Sequence, residues 1–526
     1  MTAIVAAGAA LRLWQYFGNP SFWIDEIALA QNILHRSLLS LLGEPLAFDQ
    51  VAPPGFLAAE KAATTLFGPT ELALRLVPLL CALASLPLFV TLACRILDGW
   101  PAVFATGLFA FNAPLIFHGA ELKQYSTDVT VCIVLTLAAL GLRDEHTQRA
   151  AYWRAGSLGA IVVWFSQPAA LLLAGLGVAV AWIALGRNGW PALRRVSPTL
   201  FLWAGGAAAA TAWSVYLMKP STHAYMQRFW KHAFPPLPPR SRNELLWLPN
   251  ALLENLGKQG MHQVWRWLFV LLILAGFAAL WRRKREDALM LLAPVGVALA
   301  AAAARQYPFA ERTSLFLAPT FLLAAGAGAG ALSRQLSRYH VPVGLSLSLL
   351  ALPPLAGFVR NPPVYRREET RPLLARLVAH RRPGDALYVY YGARRAFLFY
   401  APQAGFEPTE TTLGGCHRGD PRSYLRELDV FRGRPRVWVL FAHNNWPLLE
   451  QPTISAYLDL IGKRRAAFAA PGAALAFYDL SDPERLAAVS AETFPVPPLG
   501  PQSLDWLGCD AGPHAPYDPS NPEMNR

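Results

Sequence analysis

Long apolar runs alternate with short polar segments over most of the chain. About eleven runs approach the roughly 17–25 residues that a helix needs to cross a bilayer. The runs lie near residues 1–17, 74–96, 101–118, 126–142, 155–167, 168–186, 199–218, 264–281, 288–304, 314–332 and 341–358. The pattern therefore predicts a polytopic α-helical membrane protein. Gln167-Pro168, between the fifth and sixth runs, is interpreted as either a tight outer turn or a break in one long helix.

Basic residues in the polar segments predict the orientation. If the runs alternate in direction, the segments that contain Arg143, Arg187, Arg282–Arg285 and Arg334 fall on one side. The positive-inside rule makes that side cytoplasmic and the other side outer. The outer side receives residues 18–73, 119–125, 219–263 and 305–313, together with the C-terminal part.

The C-terminal part changes character and predicts a small α/β domain. Helices are expected over residues 371–382 and 454–463, and strands over 386–391, 436–442 and 473–480. The predicted division is a membrane domain over 1–360 and a periplasmic α/β domain over 361–526, which ends in a Pro- and Gly-rich tail. Cys416 and Cys509 lie in this part, and spacing alone leaves their pairing open.

Composition excludes several other classes of protein. Hydrophobic residues make up 54% of the chain and charged residues 15%, against about 25% charged residues in a soluble domain. The net charge of +13 does not predict nucleic-acid binding, because most basic residues lie in short segments between apolar runs. The sequence has no CxxC motif, His/Cys cluster, Walker loop or GxGxxG after a strand. We therefore predict no metal ligands and no nucleotide site.

An acidic pair, Asp25-Glu26, follows Trp23 at the start of the first outer segment. Carboxylates at a membrane face are costly and often functional. One interpretation is a helix N-terminus, with Asp25 as the cap and Glu26 favoured by the helix dipole. The other is a general base that deprotonates an acceptor hydroxyl. The two interpretations are compatible, since a cap also holds a carboxylate rigidly.

Three further outer segments carry candidate side chains. Asp49-Gln50 precedes the turn at Pro53-Pro54-Gly55 and offers a second acidic group. In Glu121–Tyr125, Lys123 opposes the charge bias of the outer face, so either a phosphate or Glu121 is expected to hold it. Arg305 and Arg312 flank a third segment, where they either bind phosphate or snorkel at helix ends. Arg312 is expected to begin the next helix.

Together these pieces resemble the C-type superfamily of membrane glycosyltransferases, whose members include protein O-mannosyltransferases and lipid A aminoarabinose transferases. The residues that carry the resemblance are Phe22–Glu26, Ala52–Gly55, Phe67-Gly68 with Glu71 and Arg75, Glu121–Tyr125, Tyr225–Pro236, Phe309–Phe316 and Arg436–His443. The similarity extends to about residue 480 and implies that superfamily's fold. Many relatives have His before the Pro pair, where this chain has Ala52.

The resemblance implies inverting transfer of a sugar from a polyprenyl-phosphate donor to a hydroxyl of an envelope lipid, polysaccharide or protein. The reaction would occur at the outer face of the bacterial inner membrane. Asp25, with Glu26 beside it, maps to the catalytic acidic position, while Lys123, Tyr125 and Arg312 map to the donor phosphate. Asp49, Gln50, Glu121 and Arg305 are further candidates for substrate binding. No cofactor is assigned, although a divalent cation stays open.

Two other functions fit the same pattern less well. A transporter or flippase of lipid-linked sugars would favour charged residues within the spans and internal repeats, whereas the candidate residues gather at one face and no repeat is evident. A non-catalytic relative with the same fold is the second alternative, and only an activity assay separates it from an enzyme.

Overall fold

The structure, a computed structural model, describes residues 1–143, 148–255, 263–337, 364–406, 411–418, 420–443 and 450–497. The apolar run predicted near 341–358, residue Cys509 and the C-terminal tail from 498 lie outside the described residues.

Helices make up most of the described chain. The α-helices of the N-terminal part are α1 Thr2–Phe17, α2 Ile24–His35, α3 Leu38–Gly43, α4 Pro54–Phe67, α5 Glu71–Leu74, α6 Leu76–Ile96, α7 Trp100–Ala110, α8 Ala113–Phe117, α9 Tyr125–Gly141, α10 Arg149–Val162, α11 Ala169–Leu217, α12 Pro220–Phe229, α13 Arg242–Leu245, α14 Trp247–Asn255, α15 Gln263–Arg283, α16 Arg285–Ala303 and α17 Ala318–Ser337. Those of the C-terminal part are α18 Thr370–His380, α19 Arg394–Tyr400, α20 Pro421–Asp429, α21 Glu450–Ile461 and α22 Pro483–Ala488. Short 3₁₀ helices span His118–Ala120, Val163–Phe165, Lys231–Ala233, Glu311–Leu317, Tyr391–Ala393 and Pro402–Ala404.

Several of these helices are suited to a membrane. Within the described residues, four helices are long and apolar enough to cross one, and a bent pair raises the number to five. The four are Leu76–Ile96, Ala169–Leu217, Arg285–Ala303 and Arg312–Leu336, and the pair, bent by 53°, is Trp100–Ala110 with Ala113–Ala120. The chain is thus a helical membrane protein, while the count of eleven spans stays a prediction.

The helix α11 is a hairpin rather than one straight rod. Asn188 and Gly189 interrupt it with non-helical backbone, and Gly189 has φ 61°. Ala170 near its start and Val215 near its end line the same cavity, so the two halves lie side by side. Gln167 precedes α11 in a short turn and lines that cavity too. Of the two interpretations of Gln167-Pro168, the tight turn is correct.

Small residues let two apolar helices approach closely. A Cβ on Gly276 of α15 would lie 1.8 Å from the carbonyl oxygen of Ala324 in α17. A Cβ on Gly328 would lie 2.0 Å from the carbonyl oxygen of Leu272. Such backbone contact is how small residues drive helix packing where no hydrophobic effect operates between helices.

The basic segments meet at one end of the helices. Arg187 Nη2 lies 2.6 Å from Glu286 Oε2, and Arg143 forms an ion pair with Asp287. Arg187 Nη1 also donates to the carbonyl of Arg143 over 2.5 Å. The polar segments that follow α9, interrupt α11 and separate α15 from α16 are therefore neighbours, as alternation of the spans predicts.

The C-terminal part contains a mixed sheet of five strands. They are β1 Ala386–Val389, β2 Thr411–Leu413, β3 Val437–Ala442, β4 Lys463–Ala470 and β5 Ala473–Asp479. Their order is β2-β1-β3-β5-β4, with β1 parallel to β2 and β3, and β5 antiparallel to β3 and β4. All six residues of β3 are buried, which places the core on both faces of the central strand.

Two strands, β2 and β4, were not predicted from the sequence. β2 has three residues, and β4 lies at an exposed edge where alanines and cations give no strand pattern. The helix predicted to reach residue 463 instead ends at Ile461, and Lys463 begins β4. That boundary is wrong because β4 is specified by pairing with β5 across Gly472, whose φ is 64°, rather than by its own side chains.

The C-terminal part holds the segment that leads into α2. The Phe22 amide donates to Tyr400 Oη over 2.6 Å, and the Ile24 amide donates to Glu368 Oε2 over 3.2 Å. Ser21 Oγ donates to Glu369 Oε2 over 3.1 Å. The position of Asp25, the next residue after Ile24, is therefore set partly by residues that follow it by more than three hundred positions.

Candidate active site

A cavity of about 1440 Å³ lies between the helical part and the sheet part. One region of its wall is polar and charged, and includes Asp25, Lys123 and Arg312. Another region is apolar and comes from the two halves of α11 with α16: Ala170, Leu171, Ala210, Val215, Met218 and Ala301. One cavity thus joins a charged site to an apolar surface formed by membrane helices.

Asp25 is the second residue of α2, not its cap. Trp23, with extended backbone (φ −91°, ψ 171°), is the N-cap, and the sequence interpretation of Asp25 as the cap is wrong in this respect. Asp25 can instead face the cavity, because its side chain is not used to satisfy the helix N-terminus. Its carboxylate is close to the positive end of the helix dipole.

Cations surround the Asp25 carboxylate. Arg312 Nη2 donates to Asp25 Oδ2 over 3.1 Å, and 27% of the Asp25 side chain remains exposed. Burial by itself would raise the pKa of Asp25, but the charges of Lys123, Arg312 and His443 outweigh it and leave the pKa below its ordinary value. Asp25 is therefore a carboxylate at neutral pH.

Lys123 is buried beside this carboxylate, with 7% of its surface exposed. Its Nζ donates to Gln50 Oε1 over 2.5 Å. Burial lowers the pKa of Lys123, and Asp25 opposes that effect. Tyr125, the first residue of α9, lines the same cavity. The 121–125 segment thus contributes a cation and a phenol beside Asp25.

Arg312, which lies 287 positions after Asp25 in the sequence, is held beside it by aromatic rings. Its guanidinium lies 5.2 Å from the ring centroid of Trp23 and 5.4 Å from that of Trp230. Arg312 lies in the 3₁₀ helix Glu311–Leu317, which runs directly into α17 at Ala318. The apolar span therefore begins at Arg312, as predicted, but its first turns are 3₁₀ rather than α. The rings fix the guanidinium in place, which prepares it to bind an anion in the plane of its N–H groups.

Glu26 lies behind the cavity wall rather than on it. It accepts hydrogen bonds from Arg75 Nε (3.0 Å) and Nη2 (2.8 Å), and from the Leu122 amide (2.8 Å). Arg75 and Glu26 are 1% and 2% exposed. This arrangement links α2 to the residue before Lys123, so Glu26 positions two candidate residues without meeting the cavity.

Glu121 also has a supporting position. It accepts from Trp23 Nε1 over 2.8 Å and forms a short contact with His118, and Arg367 lies 3.7 Å away. Glu121 is therefore occupied by Trp23, His118 and Arg367, whereas Lys123 is held by Gln50.

The loop before α4 brings Asp49 and Gln50 to the cavity. Asp49 Oδ1 accepts from Thr222 Oγ1 of α12 over 2.7 Å. Phe48 and Asp49 have positive φ values of 62° and 51°, which is a strained conformation for residues other than glycine. Arg305, in contrast, is exposed and does not line the cavity; its carbonyl accepts from Gln227 Nε2 over 2.7 Å.

Four basic residues of the C-terminal part line the cavity and were not predicted as site residues: Arg367, Arg395, Arg418 and His443. They lie far along the chain from the outer segments in which the candidate residues were predicted. The sheet topology brings Arg395, Arg418 and His443 to the cavity, and Arg367 reaches it from the segment before α18. Across the described ranges, no group of three or more His, Cys, Asp and Glu side chains is arranged to hold a metal ion.

Neither a family model nor a curated protein matches the chain. Among solved structures, the chain is similar to ArnT from Cupriavidus metallidurans bound to undecaprenyl phosphate, with 14% identity, 90% of this chain and 97% of that chain covered, and a TM-score of 0.48. ArnT in the apo state gives 15% identity, 90% and 98% coverage and a TM-score of 0.46. The archaeal oligosaccharyltransferase AglB from Archaeoglobus fulgidus, in complex with an inhibitory peptide and a dolichol-phosphate, gives 11% identity, 91% and 74% coverage and a TM-score of 0.46.

These proteins are members of the C-type superfamily that the sequence resembles. With identities of 11–15% and TM-scores below 0.5, these similarities do not by themselves assign a function to this chain.

Proposed function

We propose that the protein transfers a sugar from a polyprenyl-phosphate donor to a hydroxyl of an acceptor in the cell envelope. The observation that carries this proposal is a single cavity in which the Asp25 carboxylate stands beside Lys123 and Arg312 and which continues into an apolar surface. A donor with a charged head and a prenyl chain fits both regions at once.

The donor phosphate is assigned to Lys123 and Arg312. A lipid phosphate is a good leaving group once its developing negative charge is stabilised, and preorganised cations in a water-poor site do this well. Arg312 is held between two indole rings, and Lys123 is fixed by Gln50. The prenyl chain would lie along the apolar residues of α11, among them Leu171 and Val215.

Asp25 is assigned as the general base. The acceptor oxygen attacks the anomeric carbon, the bond from that carbon to the phosphate oxygen breaks, and the hydroxyl proton passes to Asp25. Polyprenyl phosphate leaves with the bonding electrons. One displacement through an oxocarbenium-like transition state inverts the anomeric centre.

The ion pair between Asp25 and Arg312 suggests how donor binding prepares the base. Arg312 donates to Asp25, and its charge, with those of Lys123 and His443, keeps the pKa of Asp25 low. A bound phosphate competes for the same guanidinium and replaces part of this pairing. The pKa of Asp25 then rises, so the carboxylate becomes a stronger base once the donor is in place.

Two observations support an outer-face site. The cavity residues lie away from the end where Arg143 and Arg187 meet Glu286 and Asp287, which is the end that charge bias assigns to the cytoplasm. Cys416 is disulfide-bonded, and such bonds persist in oxidising compartments. In a bacterium that compartment is the periplasm.

The proposal is tested with purified protein and a panel of polyprenyl-phosphate sugars, with release of polyprenyl phosphate as the readout. We expect release that depends on the added acceptor. Mass spectrometry of envelope glycolipids from cells with and without the protein then identifies the product. If no donor in the panel were consumed and the glycolipids were unchanged, the proposed reaction would be contradicted.

A further inference from the structure

One edge of the sheet faces the cavity with a basic residue after each of its three parallel strands. Arg395 follows β1, Arg418 follows β2 and His443 directly follows β3. All three line the cavity. The carboxyl ends of parallel strands lie at the same edge, so the three residues come from separate segments to one side of the sheet.

The topology makes this edge a binding crevice. From β1 the chain crosses to β2 on one side, and then returns to β3 on the other side of β1. Ligands of open α/β sheets bind outside the carboxyl ends of the strands at such a reversal. His443 adds a second sign, because its φ of 50° is strained for a residue with a side chain, and such strain concentrates at functional sites.

The charge of this edge is one-sided. Arg367 adds a fourth basic group, and none of the acidic residues in the described C-terminal part lines the cavity. Glu368 stands behind this wall, where it contacts His443 Nδ1 over 2.6 Å. Arg418 lies over the ring of Tyr391, and the nearby Glu450 is buried behind the wall, where it accepts a hydrogen bond from Tyr390. Within the described residues, the sheet side of the cavity lining is therefore basic.

We propose that the acceptor carries a phosphate group, which binds to Arg395, Arg418 and His443 at this edge. The inference rests on the proposed function, since it concerns the second substrate of the same site. Lys123 and Arg312, on the helical side, are assigned to the donor phosphate, and the basic residues of the sheet edge form a separate group in the same cavity. Guanidinium groups bind phosphate through planar paired contacts, and phosphate carries more charge than a carboxylate.

The test uses a matched pair of probes, hexadecyl glucoside 6-phosphate and hexadecyl glucoside, with the donor site saturated by undecaprenyl phosphate. We expect the phosphorylated probe to bind at least about 10-fold more tightly in microscale thermophoresis, as charge-assisted hydrogen bonds allow. Glucose 6-phosphate and glucose form a second pair. If glucose 6-phosphate is preferred over glucose by the same factor, the preference arises from the phosphate group rather than from the alkyl chain.

Variants locate the preference. The double change Arg395→Gln with Arg418→Gln should remove it, whereas Arg418→Lys should keep most of it. Arg376→Gln is the control, because Arg376 is an exposed residue of α18 outside the cavity lining. Retained binding of undecaprenyl phosphate shows that each variant is folded.

Two results would overturn the inference: equal binding of both glucosides by the native protein, or a preference that survives the double change. A preference seen only without undecaprenyl phosphate would also do so, because it would place the phosphate at Lys123 and Arg312. Failure of undecaprenyl phosphate to bind would contradict the proposed function instead, and the glucoside pair would still decide the acceptor phosphate.

Discussion

The buried pair of Glu26 and Arg75 offers a prediction whose size follows from its geometry. Two hydrogen bonds of 2.8 and 3.0 Å join groups that are 2% and 1% exposed. Glu26→Gln removes the negative charge and leaves the buried guanidinium without this counter-charge, although Asn19 and Pro20 still accept hydrogen bonds from its Nη1. Removing one partner of such a pair costs about 3–5 kcal/mol. The lower end is expected, because a glutamine oxygen still accepts one hydrogen bond.

The chain offers a matched control for this change. Arg187 and Glu286 form the same paired contact, at 2.7 and 2.6 Å, but their side chains are 37% and 32% exposed. Glu286→Gln should cost no more than about 1 kcal/mol. Reversible unfolding in mixed micelles gives both values, and a double-mutant cycle with Arg75→Gln isolates the coupling. If Glu26→Gln cost no more than Glu286→Gln, burial would not govern the strength of these pairs.

The remaining predictions concern substrate binding, pH and topology. Lys123→Met and Arg312→Gln should each weaken undecaprenyl phosphate binding by about 10-fold or more. Arg305→Gln is the control, because Arg305 lies outside the cavity lining, and it should not weaken binding. Equal losses in all three variants would contradict the assignment of the phosphate to Lys123 and Arg312. Burial raises the pKa of Asp25 and the nearby cations lower it below its ordinary value, so kcat/KM for the donor, which reports the free enzyme, should persist at mildly acidic pH and fall only as Asp25 is protonated. Arg312→Gln should move that acidic limb to higher pH, and an unchanged limb would show that Arg312 does not set it. Protease added to intact spheroplasts should cleave the sheet part and spare residues 282–285; the reverse pattern would invert the topology.

The helical part was largely predictable because its signal is local. Long apolar runs identify α6, α11 and α16 without reference to the rest of the chain, since each helix satisfies its own backbone and faces lipid. The strands β1, β3 and β5 were visible for a similar reason: their apolar residues are contiguous and buried. The edge strand β4 was not predicted, because its conformation is determined by pairing with β5 rather than by its own side chains.

The candidate site was predictable only in part. Asp25, Lys123 and Arg312 were found because charge at an outer membrane face is costly and conspicuous in the sequence. The support of Glu26 by Arg75 depends on a contact across 49 positions, which no spacing rule anticipates. The basic residues of the sheet edge look like ordinary surface cations until the strand order places them at the cavity.

The same limit explains why the different surroundings of Asp25 and Glu26 could not be predicted from the sequence. Adjacent residues in a helix point about 100° apart. Asp25 reaches the cavity while Glu26 turns towards Arg75 and Leu122. Adjacency in the sequence therefore predicts a shared location but not a shared role.

The central claim is that Asp25 is the base, and the turnover of Asp25→Asn tests it most directly. The substitution keeps the size of the side chain and removes its proton affinity. Release of polyprenyl phosphate in the presence of acceptor should fall by about 10²–10⁴-fold. Undecaprenyl phosphate should still bind at least as tightly, because Arg312 is no longer shared with a carboxylate. Near-normal turnover by a variant that still binds undecaprenyl phosphate would contradict the account.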